Sequence, residues 1–238
     1  MAGGTTGIIV AAGSGERMGG IQKAFHLLLG DEMAAYSLRA MEASQDIDHI
    51  VLVVASDSVE KAKLLVSEMG LCKVSAVCGG GATRRESVLA GLHAAPDGSE
   101  ITLVHDGARP CVTGELIARG VAAAREHDAA VPAVPVQDTI KEAGQDRRVV
   151  ATPDRSRLYA AQTPQAFRTE LLERAHAEAP ADLVLDDASL VEALGEPVHL
   201  FEGDAGNIKV TTPADVAIVE AILRQHDNSA PDEQGAGS

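Results

Sequence analysis

The residues best suited to chemistry sit in one short stretch, IIVAAGSGERMGGIQKAF (8–25), where an apolar run breaks into glycines that bracket Arg17 and Lys23. A dinucleotide-binding turn needs G-x-G-x-x-G, whose last glycine packs a helix against the strand; Gly13, Gly15 and Gly19 are spaced one residue too long for it. A P-loop needs lysine directly after its last glycine, whereas Ile21 and Gln22 separate Gly20 from Lys23. What remains is a strand, a small-residue turn and two cations, which together wrap backbone N–H groups and positive charge around a polyphosphate. The other reading of the same residues is a surface loop with solvated cations.

Such a turn holds a ligand only if rigid elements fix its ends. Strand-length apolar runs recur at TGIIVAA (6–12), HIVLVVA (49–55), KVSAVCG (73–79), EITLVHD (100–106) and AAVPAVPV (129–136). Segments of helical periodicity alternate with them: 34–43, SVEKAKLLVSEMG closing on Gly70, 84–95 and 114–127. Continuous apolar strands between helices predict a mostly parallel sheet with ligand chemistry at its carboxyl edge. After residue 136 the rhythm changes, and 137–162 reads as an extended β-arm whose strands lack a partner in the sheet. Helices follow at 169–179 and 186–195, then a strand pair around VHLFEGD and NIKVT. A last helix opens at Pro213, with Thr212 as its cap and Asp215 in its first turn, and 227–238 reads as a disordered polar tail.

Composition narrows the partners. With 20 Lys and Arg against 35 Asp and Glu, the formal net charge of −15 repels nucleic acid and anionic membrane surfaces, so phosphate binding needs a local basic cluster. Cys72, Cys78 and Cys111 are odd in number and show no C-x-x-C spacing, which predicts buried thiols rather than disulfides or structural zinc. No apolar run approaches the roughly 20 residues that span a bilayer, so a cytoplasmic protein with no membrane or nucleic-acid partner is expected. The eight histidines show no metal or triad spacing and are expected to be structural or surface groups.

Several further segments stand in a telling order: GGGATRRESVLAGL (79–92), LVHDGARPCV (103–112), AVPVQDTIK (133–141), TPDRSRLYAAQTPQAF (152–167), DDASLVE (186–192) and GNIKVTTPADV (206–216). With AAGSGERMGGIQKAF they resemble the 2-C-methyl-D-erythritol 4-phosphate cytidylyltransferase family over Gly7 to about Leu223. The resemblance implies a single Rossmann-like, three-layer α/β/α nucleotidyltransferase domain over 1–226 with a projecting β-arm at 137–162. It also implies a homodimer formed through that arm. The implied reaction transfers CMP from CTP to the polyol phosphate, with Mg²⁺ as cofactor carried mainly by the CTP phosphates. A D-ribitol 5-phosphate cytidylyltransferase shares most of these motifs and is the alternative, followed by a non-catalytic nucleotide-binding protein.

By the same resemblance, Ala11, Ala12 and Gly13 line the nucleotide while Arg17 and Lys23 stabilise charge on its phosphates. Gly81 lets the main chain approach the cytosine and Ser87 opens the following helix with its hydroxyl; Ala82 replaces an aspartate found in some relatives, leaving base recognition to the backbone. Arg84 matches a family arginine, and Arg85 is expected to be a helix-surface charge. Asp106, at the carboxyl edge of its strand, serves Mg²⁺ or a sugar hydroxyl. Arg109, Thr139, Thr163, Arg155 and Lys209 converge on the acceptor, since a phosphate needs donors from several directions. Asp186 and Asp187 either belong to the site or cap a helix, and Lys141 is expected to be solvated.

Overall fold

The computed structural model describes residues 3–13, 23–180, 183 and 185–229. The chain begins with β1 (Gly4–Ala11), the short pair β2 (Leu27–Leu28) and β3 (Asp31–Glu32), α1 (Met33–Ala43), β4 (His49–Val54) and α2 (Val59–Glu68). It continues through β5 (Val74–Gly79), α3 (Arg84–Ala94), β6 (Ser99–Asp106), α4 (Gly114–His127) and β7 (Ala129–Pro135). Then come β8 (Glu142–Ala143), β9 (Val149–Ala151), β10 (Tyr159–Ala161), β11 (Gln165–Arg168) and α5 (Thr169–Glu178). The final elements are α6 (Asp187–Ala193), β12 (His199–Glu202) and α7 (Pro213–Ser229).

Among the described residues, eight strands form one sheet in the order β10-β7-β11-β6-β1-β4-β5, with β12 also on β7. β1 runs parallel to β4 and β6, and β4 parallel to β5. β11 inserts antiparallel between β6 and β7, so the sheet is mixed on that side.

Neighbouring strand residues face opposite sides of a sheet. Ile9, Leu52, Leu103 and Ile101 accordingly pack under Leu38 and Met41 of α1, Ala62 and Leu65 of α2, and Leu116, Ile117 and Val121 of α4. Ile8, Val51, Val53, Val104 and Phe167 pack against Val88 and Leu92 of α3, Leu172 and Ala175 of α5, and Leu190 and Val191 of α6. These two apolar layers make the three-layer α/β/α architecture. α3 lies so close to the sheet that a Cβ on Gly91 would fall 2.5 Å from Ile8 Cγ2, so glycine is required there. α7 forms a satellite layer, burying Val219 and Leu223 with Leu28, Met33, Cys111 and Val210.

Four sequence expectations need correction here. Tyr159–Ala161 is not part of an unpartnered arm, because it pairs antiparallel with Ala133–Pro135 of β7. The arm is the exposed excursion between Val136, whose N–H donates to the Leu158 carbonyl at 3.0 Å, and that residue, with β8 paired to β9 inside it. NIKVT (207–211) forms no strand; Val210 N–H makes a single 2.8 Å bond to the Ala108 carbonyl, anchoring a loop rather than a ladder. α7 opens at Pro213 after Thr212 as expected, with Asp215 Oδ2 in its first turn accepting from the amides of Thr211 and Thr212 at 2.8 and 2.7 Å, but the helix runs through Ser229 into the expected tail. Among the thiols, Cys111 is buried but Cys72 is exposed and Cys78 lies between.

Candidate active site

β1, β4, β5 and β6 end together, and their carboxyl ends form one edge. Ala11 closes β1, and Ala12 and Gly13 follow it. A Cβ on Gly80 would lie 2.6 Å from both the Ala12 Cβ and the Ser87 Oγ, and one on Gly107 would lie 2.9 Å from the Ala11 Cβ. The turns after β1, β5 and β6 are thus in van der Waals register. Arg17 and the side chain of Lys23 lie outside the described residues; the Lys23 backbone opens a short 3₁₀ turn, Lys23–Phe25, directly before β2.

The turn after β5 leads into α3. Thr83, not Ser87, opens that helix: its hydroxyl accepts from the Glu86 amide at 3.1 Å and the Glu86 carboxylate accepts from the Thr83 amide at 3.0 Å, a reciprocal capping box. Gly81 packs on this box, since a Cβ there would sit 2.3 Å from the Glu86 Cβ. Ser87 is buried, donating its hydroxyl to the Thr83 carbonyl at 2.9 Å. Arg85 is no free surface charge, because its guanidinium donates to the His176, Ala179 and Pro180 carbonyls and so satisfies the C-terminal end of α5.

Asp106 ends β6 and is 8% exposed, with both carboxylate oxygens taken: Arg84 Nε at 3.1 Å on Oδ1 and Lys209 Nζ at 2.6 Å on Oδ2. Burial pushes its pKa up, but Arg84 and Lys209 outweigh burial and hold the carboxyl well below the usual carboxylate range. Arg84 reaches on from Nη1 to Asp187 Oδ2 at 2.6 Å, and Asp187 Oδ1 meets His176 Nε2 at 3.1 Å. Burial pulls the Arg84 pKa down, yet the two aspartates override it and raise the guanidinium above its ordinary value. Asp186 is the N-cap of α6, accepting from the Ser189 amide at 3.0 Å, and it also takes Gln165 Nε2 at 2.7 Å. The two aspartates therefore divide the roles the sequence left open, one capping and one joining the charged chain. His176, buried and paired with Asp187, is a structural group.

Arg109 lies on the other flank of Asp106. Its Nη1 donates to the Asn207 carbonyl at 2.7 Å, and burial pulls its pKa below the ordinary guanidinium value, Asp106 opposing and Arg84 adding to the effect. Thr163, buried at a cis Thr163–Pro164 bond, accepts from the Asp106 amide at 3.0 Å. The structure therefore brings together Ala11, Ala12, Gly13, Gly81, Ser87, Asp106, Arg109, Thr163 and Lys209. It does not bring in Thr139 or Arg155. Both are exposed on the arm, where Arg155 donates to the Gln137 carbonyl at 2.6 Å, and no described contact joins either to Asp106, Arg109 or Lys209. Lys141, also on the arm, donates to Thr152 Oγ1 at 2.9 Å.

A Mg²⁺ carried mainly by substrate phosphates needs no cage of protein ligands. Among the described residues no group of three or more His, Cys, Asp or Glu side chains converges. The Asp106 oxygens face cations, which favours an anion at this edge and disfavours Mg²⁺ bound to the bare carboxylate.

Arginines and a lysine neutralised on one side by buried carboxylates, beside a tight small-residue turn, have the chemistry to receive phosphate groups. Comparison with known proteins agrees. The model of the 2-C-methyl-D-erythritol 4-phosphate cytidylyltransferase family matches residues 5–225. A protein of that name from Dehalococcoides mccartyi (strain CBDB1) is 43% identical over 218 residues, covering 92% of this chain and 95% of its own. One from Symbiobacterium thermophilum is 46% identical over 221 residues, covering 92% of each. The crystal structure of 4-diphosphocytidyl-2C-methyl-D-erythritol synthase from Anaerococcus prevotii DSM 20548 superposes with a TM-score of 0.83 at 31% identity, covering 93% of this chain and 96% of that one. On fold, site and sequence together, the chain belongs to the 2-C-methyl-D-erythritol 4-phosphate cytidylyltransferase family.

Proposed function

We propose that this protein transfers CMP from CTP to the phosphate of 2-C-methyl-D-erythritol 4-phosphate, releasing pyrophosphate. The observation that carries the reading is the placement of Arg84, Arg109 and Lys209 around Asp106, one turn from Ala11, Ala12 and Gly13, in a chain of this family. A phosphate oxygen of the acceptor attacks the α-phosphorus; the new P–O bond forms as the α–β bridge breaks, and pyrophosphate leaves in line. Both partners are anionic, so positioning and neutralisation supply the rate acceleration, and no protein nucleophile takes part.

Each charged group has a part in that scheme. Lys209 Nζ spends one of its three N–H bonds on Asp106 and offers the rest to phosphate. Arg84 Nη2 and Arg109 Nε are buried without a partner among the described residues, so each has a donor to give to an anion. Arg17 and Lys23 take the CTP phosphates. Mg²⁺ would arrive on the triphosphate, which neutralises its own charge that way, and this chain's residues hold the phosphates rather than the ion.

Thr139 and Arg155 complete an acceptor pocket from the arm of a second copy, which makes the working unit a homodimer. Their exposure in the single chain supports this arrangement, as does their separation from the Asp106 cluster. No described helix is long and apolar enough to cross a membrane, and the enzyme is proposed to work in the cytoplasm. The relatives found are named for the methylerythritol acceptor, so ribitol phosphate is not favoured.

The deciding experiment incubates purified protein with CTP, Mg²⁺ and either 2-C-methyl-D-erythritol 4-phosphate or D-ribitol 5-phosphate, and measures pyrophosphate. Release with the first acceptor is expected. Release with ribitol phosphate alone overturns the assignment.

A further inference from the structure

His105 is fully buried beneath the site and belongs to none of the roles above. Its ring lies between two acceptor-pocket residues. Nε2 is 3.1 Å from the Arg109 carbonyl, and Nδ1 is 3.2 Å from Thr163 Oγ1. Arg109 Nη1 donates to the Asn207 carbonyl at 2.7 Å, and Asn207 Nδ2 donates to the Thr163 carbonyl at 2.7 Å. These four contacts close a circuit, His105 to Arg109 to Asn207 to Thr163 and back, tying together three segments distant in sequence.

For a neutral ring, counting donors and acceptors around the circuit favours one arrangement. A carbonyl can only accept, so Nε2 carries a hydrogen toward Arg109. The Asp106 amide donates to Thr163 Oγ1 at 3.0 Å, and with a neutral ring protonated at Nε2 the Thr163 hydroxyl turns its own hydrogen toward the bare Nδ1. Ser37 Oγ, 3.3 Å from Nε2 and 3.5 Å from the Arg109 carbonyl, supports the same end from α1. The opposite tautomer would face a lone pair with the Arg109 carbonyl and leave the Thr163 hydrogen without a described acceptor. A buried neutral ring is also what the surroundings favour: burial pulls the His105 pKa down to about 4, although Asp106 and the backbone contacts of Arg109 and Thr163 oppose the change.

We propose that His105, as the neutral Nε2–H imidazole, is a positioning residue that closes this circuit and so sets Arg109 and Thr163 for the acceptor phosphate. The inference rests on the cytidylyltransferase reading for what the two residues hold, but the circuit itself is a property of the folded chain.

Three variants and one spectrum test it. His105→Leu breaks both arms; His105→Gln places an amide near the Nε2 position and can keep the bond to Arg109; His105→Asn places one near Nδ1 and can keep the bond to Thr163. Outer hydrogen-bonding partners of functional groups typically matter by about 10-fold to 100-fold. The expected result is a fall of about that size in kcat/KM for the polyol phosphate in the leucine variant, CTP KM within about threefold of wild type, and partial recovery in both amide variants. A residue that only fills space would lower stability and leave the acceptor kinetics of the folded variants alone; that outcome overturns the proposal. Should the leucine variant not fold, the amide pair carries the comparison. Nitrogen-15 spectra, with the His105 signals assigned by their loss in His105→Gln and so distinguished from the buried His176, are expected to show the His105 ring protonated at Nε2 and bare at Nδ1. The reverse tautomer, or an imidazolium at neutral pH, overturns the circuit. Wild-type protein inert toward every polyol phosphate would instead remove the cytidylyltransferase reading and with it the acceptor role, while the spectrum still decides the circuit.

Discussion

Arg84 and Asp187 meet at 2.6 Å between α3 and α6, and through this pair the Asp106 edge is joined to His176, a side chain buried in α5. The positive and negative groups alternate from Lys209 through Asp106, Arg84 and Asp187, so each charge except the outermost has opposite charge on both sides.

Removing a link near the buried end should therefore cost more than removing an exposed pair. Asp187→Ala takes the partner from Arg84 Nη1 and from His176, leaving Arg84 only its bond to Asp106, and breaking a buried ion pair on one side costs about 3–5 kcal/mol. Because Arg84 remains 27% exposed, we expect the lower end, about 3 kcal/mol, measured by urea unfolding at pH 7. A loss below about 1 kcal/mol would mean that water replaces the aspartate. Activity is expected to fall with it, since Arg84 also positions Asp106.

Lys23→Ala should lower turnover by at least about 10²-fold, the usual effect of losing one group that stabilises charge in the transition state. Its circular dichroism and melting temperature should match the parent. Wild-type turnover in the folded variant would remove Lys23 from the phosphate site.

His105 also predicts an acid limb in stability. Its folded pKa, about 4, lies below the ordinary histidine value of about 6.5, so the unfolded chain binds a proton in that window and the native state does not. Stability is therefore intact above about pH 6.5 and declines as pH falls toward 4. At about 1.4 kcal/mol per pH unit the full decline is roughly 3.5 kcal/mol. Asp106 acts at lower pH: its carboxyl is held below the ordinary value near 4, so its contribution is present above that pH and is lost on further acidification. Urea midpoints from pH 7 to pH 4 should slope in wild type and flatten in His105→Gln. Equal slopes would assign the acid limb to other groups.

The arm makes a prediction about partnership. If Thr139 serves the neighbouring subunit, a Lys23→Ala chain and a Thr139→Ala chain, each nearly inactive, rebuild one intact site in a mixed dimer. Random reassortment of equal amounts makes half the dimers mixed with one working site of two, so recovered activity should approach roughly a quarter of wild type. Mixtures shown by native mass spectrometry to contain mixed dimers, yet inactive, would return Thr139 to its own chain.

What could be read from the sequence follows from how local each signal is. The strands at β1, β4, β5, β6 and β7 were legible within about two residues, because each is an apolar run bounded by turn residues. NIKVT has a strand-like pattern, but Val210 serves the α7 layer and pairs its backbone once only, a tertiary choice its neighbours do not encode. Arg84, the centre of the charged chain, drew attention only through resemblance, and His176 not at all. Its partner Asp187 lies eleven residues away and reaches it only after α5 and α6 have packed, so no spacing rule finds the pair. Arg85 carried a similar trap: beside Arg84 in a helix's first turn it looked solvated, and only the docking of α5 supplied its carbonyls.

The closed root of the arm has an engineering consequence. Because Val136 and Leu158 are already hydrogen-bonded to each other and β10 is locked onto β7, the sheet does not depend on what lies between them. The excursion behaves as an exchangeable cartridge. A two-residue Asn-Gly turn could replace it and leave the three-layer body intact, since such turns suit antiparallel neighbours already in register. Because Thr139 and Arg155 lie on that excursion, its exchange would carry away the proposed subunit pairing and acceptor contacts together while the folded body and the turn after β1 stay in place.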